Sequence, residues 1–162
     1  MNGFRPFRTL LAFVLIVLLH YTLRPFLGWR WEPDFLTIAL LLAAVRMRPG
    51  PAAVSGFVLG LLRDAHMLEG YGSSAIALAF VGFGAAWLKA AFFADNLALN
   101  GFFFFLGKWA YDIMFFVVER RLVGADLAVQ LGIWSPLSAA VTAVAGVFLL
   151  IVMRPLLRTS PT

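Results

Sequence analysis

Apolar residues in this chain come in long runs broken by short polar turns, and few runs carry a polar face of their own. Six runs stand out, at residues 9–23, 35–45, 51–62, 71–88, 97–118 and 131–153. A helix that is apolar all round is surrounded by other helices or by lipid. Arg8 and Arg24 bracket the first run and Pro25 stops it. The fourth and sixth contain no charge, whereas the fifth contains Lys108 and Asp112. Gly and Pro punctuate the connections, and no repeat of fixed period is visible. The pattern predicts an all-α integral membrane protein. Residues 1–162 form a single polytopic domain, a compact bundle of six transmembrane helices, or five.

The choice between six and five rests on the second run. Eleven residues rise only about 16 Å as a helix, against a hydrocarbon core of about 30 Å. The run crosses if residues 31–34 and Met47 sit at the interfaces and Arg46 snorkels. Otherwise it is a buried or re-entrant segment.

Composition sharpens the membrane reading. The chain is 62% apolar and 13% charged, where soluble domains are about half apolar and a quarter charged. Its net charge of +5 is dispersed in ones and twos at the ends of apolar runs. That placement fits membrane orientation and snorkelling and argues against a nucleic-acid surface. With no cysteine, disulfides, thiol catalysis and Cys-based metal sites are excluded. Arg5 and Arg8 before an apolar stretch resemble a signal peptide, but no small-x-small cleavage site follows, so a retained first helix is expected. With six spans and both termini cytoplasmic, seven basic residues lie inside (Arg5, Arg8, Arg46, Arg48, Lys89, Arg154, Arg158) and five outside (Arg24, Arg30, Arg63, Arg120, Arg121).

Three sets of residues carry candidate chemistry. In the third run Ala53, Gly56, Gly60 and Asp64 fall within about 80° of one helix face. Small residues on one face let a neighbouring backbone approach closely, either within the bundle or from a partner's helix. Lys108 and Asp112, four apart, share a face. Ionisable groups deep in a bilayer are paired or functional, so they form either a self-compensating pair or part of a relay, to which only His20 could be added. Asp64, His66 and Glu69 match no established metal-ligand spacing and read as a polar helix end. No hydrolase, zinc or nucleotide-binding motif is present, so no catalytic residue and no cofactor are expected.

The stretch from Pro33 to Gly72 is the most distinctive. Pro33-Asp34 opens an aliphatic run, and Arg46 to Gly50 make a basic, glycine-containing turn. A span with Gly56 and Gly60 follows, ending in Asp64 and the loop Gly70-Tyr71-Gly72. In order and spacing this set resembles the MreD family of bacterial rod shape-determining membrane proteins. Arg63 departs from the family pattern, since an aliphatic residue is usual there. The last three runs match only in hydrophobic outline. The resemblance implies a non-enzymatic scaffold of the cell-elongation machinery in the cytoplasmic (inner) membrane. Its implied partners are MreC, the actin-like MreB, RodA and a class B penicillin-binding protein, with the glycine face and the polar span ends as contacts. The family is also similar in outline to the substrate-binding subunits of energy-coupling-factor transporters. A vitamin-type small-molecule binder is therefore the alternative, with Glu32, Asp34, Asp64, His66 and Glu69 as the available lining.

Overall fold

The computed structural model of the chain describes residues 33–65, 72–92, 96–120 and 124–157, together with Val14, Leu18 and Thr22. Val14, Leu18 and Thr22 are helical. The rest of the first apolar run, His20, His66, Glu69 and Gly70 lie outside the described residues. The described elements are all helices: α1 (Phe35–Ala44), α2 (Pro49–Asp64), α3 (Ser73–Phe92), α4 (Leu97–Glu119), α5 (Gly124–Val129), a π-helical turn (Gln130–Trp134) and α6 (Ser135–Leu157). Among the described residues two continuous helices are long and apolar enough to cross a membrane, Leu97–Glu119 and Gly124–Val152. The all-helical architecture expected from the sequence is therefore present, and these two helices are consistent with a membrane protein.

Helix α1 is the centre. Its ten residues rise only about 15 Å, and Phe35 to Leu41 and Ala44 are all buried. It touches α2, α3, α4 and α6, so its all-round apolarity serves packing against protein. Asp34 caps its N-terminus, the carboxylate accepting from the Thr37 N–H at 3.1 Å. At the other end Lys89 Nζ donates to the Met47 carbonyl at 2.8 Å, satisfying an acceptor just past the helix.

Helix α2 begins earlier than its apolar run. Pro49 and Pro51 lie in its first turn, where a missing N–H carries no penalty. Gly50, expected in the connecting turn, is therefore already helical. Gly56 and Gly60 pack against the following helix, α3, where a Cβ would stand 2.1 Å from the Leu78 carbonyl oxygen and 2.2 Å from Ala75 Cα. Gly82 of α3 approaches from the other side, where a Cβ would stand 2.5 Å from the Ala52 carbonyl oxygen. Ala53, counted with the glycines, is only half-buried, and Ala52 takes the inward position. The glycine face is thus packed against this chain's own α3, the within-bundle alternative of the two that the spacing left open.

The last helix starts before its apolar run, at Gly124. Pro136 has no N–H to offer the Gly132 carbonyl. The ladder shifts there by one residue, and the Ser135 N–H bonds the Gln130 carbonyl. The Trp109 indole of α4 donates to the Leu131 carbonyl in this turn at 3.3 Å. That bond gives the Leu131 carbonyl a donor in place of the Ser135 N–H, which the shifted ladder has taken.

Candidate functional site

Four charged side chains meet inside the bundle at the N-terminus of α1. Asp34 Oδ2 accepts from Arg63 Nη1 of α2 at 2.6 Å and lies 3.5 Å from Lys108 Nζ of α4. Lys108 also donates to Asp112 Oδ1, one turn further along α4. Asp34, Lys108 and Asp112 are buried, and Arg63 nearly so. Lys108 lies eleven residues from either end of the membrane-length α4, whereas Asp34 and Arg63 stand at the ends of α1 and α2. Two acids face two bases, and the formal charge of the group is zero. In a low-dielectric interior that balance is the condition for all four to stay ionised.

Tyr111 holds the cluster from the side. Its ring centroid is 4.8 Å from the Arg63 guanidinium carbon and 4.9 Å from Lys108 Nζ. Both cations thereby gain a ring quadrupole as well as a carboxylate. The Tyr111 hydroxyl donates to Ser74 Oγ of α3 at 3.2 Å. The backbone N–H of Asp34 donates to Thr142 Oγ1 of α6 at 3.1 Å. Helices α1, α2, α3, α4 and α6 are therefore all tied to this point.

Asp64, next to Arg63, does a different job. Its carboxylate accepts from the backbone N–H groups of Gly72 (2.9 Å), Ser74 (3.3 Å) and Ala75 (3.1 Å). It caps α3 from the end of α2 and places negative charge at a helix N-terminus. Gly72 makes the approach with φ +95°, a conformation that favours glycine. Asp64→Ala should cost about 1–2 kcal/mol, the loss of a cap. The check is thermal unfolding in detergent followed by circular dichroism; an unchanged midpoint would contradict this role.

The residues singled out in the sequence thus divide into groups. Asp34, Lys108 and Asp112 come together, with Pro33 half-buried just before them. Asp64 and Gly72 meet at the start of α3. Arg46 and Gly50 are exposed at the far, basic end of α1 and α2. Sequence reasoning missed Arg63, Tyr111, Ser74 and Thr142. One signal for Arg63 was available: Asp34, Lys108 and Asp112 sum to −1, so a second base was required.

Nothing in this geometry sets a nucleophile beside a base, and among the described residues no three acids or histidines are placed to hold a metal. The arrangement joins helices. No curated protein and no solved structure matches the chain. A family model described as rod shape-determining protein MreD matches residues 3–159, nearly its whole length. Between the Pro33–Gly72 pattern, the helical membrane architecture and that match, the chain belongs to the MreD family of rod shape-determining membrane proteins.

Proposed function

We propose that the chain is a non-enzymatic, multi-pass scaffold of the cell-elongation machinery, a single unit of six spans in the inner membrane with both termini cytoplasmic. It would work with MreC, MreB, RodA and a class B penicillin-binding protein to direct peptidoglycan synthesis to the side wall. The family membership carries this reading. The internal charge cluster supports it, because a neutral, multiply tied centre gives partners a rigid body to bind. The glycine face is occupied by α3, so partner helices would meet outward surfaces such as Val144, Phe148 and Ile151 of α6. Ligand binding is the weaker reading, since Asp34 and Asp64, two of its five lining groups, are already bonded within the chain.

Depletion from a rod-shaped host should round the cells while leaving vitamin uptake intact. Loss of uptake with normal shape would overturn the scaffold reading. A reporter fused after Thr162 should be active in the cytoplasm if the orientation holds.

A further inference from the structure

A cavity of about 220 Å³ opens laterally between α3 and α4. Leu41, Val81 and Phe103, all buried, form its floor, and the exposed Phe80 and Leu88 form its rim. Gly84 lines it too, and a Cβ there would meet nothing within 4 Å. The lining side chains are apolar throughout, so a water entering would find no side-chain hydrogen-bond partner. Left empty, the cavity would forfeit the dispersion contacts of its walls.

An apolar slot of this kind accepts a stretch of hydrocarbon chain. Charge favours a lipid over a partner's helix and selects its headgroup. Leu88 on the rim is followed by Lys89, whose bond to the Met47 carbonyl places it against the turn that carries Arg46 and Arg48, both exposed, just past the end of the helix that supplies Leu41. Lys89 uses one donor on the Met47 carbonyl and has three. We propose that this cavity is a lipid site, taking one acyl chain of an anionic phospholipid whose phosphate lies among Arg46, Arg48 and Lys89. The site depends only on the membrane placement of α3 and α4 and is independent of the scaffold role.

Native mass spectrometry of the full-length protein, purified in detergent with phosphatidylglycerol or phosphatidylcholine, tests it. The wild type should retain phosphatidylglycerol at least tenfold more than phosphatidylcholine. Gly84→Leu, which fills open space, should cut that retention at least tenfold with unchanged helicity and thermal midpoint. Replacing both arginines (Arg46→Gln with Arg48→Gln) should abolish the preference between the two lipids while total lipid is kept. A photoreactive benzoylphenylalanine in place of Phe80 should yield a lipid adduct in membranes. Equal retention of the two lipids by the wild type, full retention by the Gly84 variant, or a protein adduct at position 80 would each overturn the proposal.

Discussion

Asp34→Asn is expected to destabilise the folded protein by about 3–5 kcal/mol, the range for removing one member of a buried ion pair. Asparagine caps a helix about as well as aspartate, so the substitution isolates the charge. With Asp34 neutral, Arg63 and Lys108 face Asp112 alone, and one positive charge stays buried without a counter-ion. The decisive comparison is the double variant Asp34→Asn with Lys108→Met, which restores neutrality by leaving Arg63 opposite Asp112. It should regain at least half of the loss, measured by thermal or denaturant unfolding in micelles and by protein level in membranes. Strict additivity of the two substitutions, or a loss below about 1 kcal/mol for Asp34→Asn, would show that the four groups do not act as one unit.

Gly60→Ala and Gly56→Ala form the second large expectation. Each adds a single methyl group, yet the atoms it meets are backbone: Ala75 Cα at 2.2 Å and the Leu78 carbonyl oxygen at 2.1 Å. No side chain can rotate away, so α2 and α3 must separate along the seam. Overpacking of this kind costs about 1–3 kcal/mol and occasionally more. Separation would also draw the Asp64 carboxylate away from the N–H groups it caps, which places these variants at the upper end. Gly84→Ala is the control, in α3 but facing the open space between α3 and α4. It should be neutral or stabilising by up to about 1 kcal/mol through helix propensity. Equal effects at positions 60 and 84 would remove the close-contact explanation.

The sequence exposed the helices well and their partners poorly. Apolar runs marked α1, α2, α3, α4 and α6 to within a few residues because a helix surrounded by protein or lipid has no polar periodicity to misread. The ends were missed where helices recruit polar residues, as with the Pro-Gly-Pro turn that became the first turn of α2 and the Asp126 region ahead of the last run. Lys108 and Asp112 were legible as neighbours because a helix places residues four apart on one face. Their link to Asp34 was not, since local spacing carries no information about which helices touch. Arg63 shows the difference most clearly. In the chain it reads as a stray charge at a helix end; in the fold it is the closest base to Asp34, 29 residues away. The glycine spacing announced a close approach but could not say to what, and the answer was the next helix of the same chain.

The shortness of α1 bears on how the protein enters the membrane. A spanning helix needs about 20 apolar residues, and an aspartate at the centre of a segment opposes insertion by about 2.5–3.5 kcal/mol. A ten-residue helix headed by Asp34 therefore has no stable place in the bilayer when it first emerges. Its counter-ions and hydrogen-bond partners arrive later, Arg63 first, then Lys108, and last Thr142, 108 residues downstream. At about 5–20 residues per second, that last interval is roughly 5–20 s. Biogenesis is therefore out of order: the central helix is made early and seated late, and a nascent chain truncated before α4 should leave it accessible from the aqueous side.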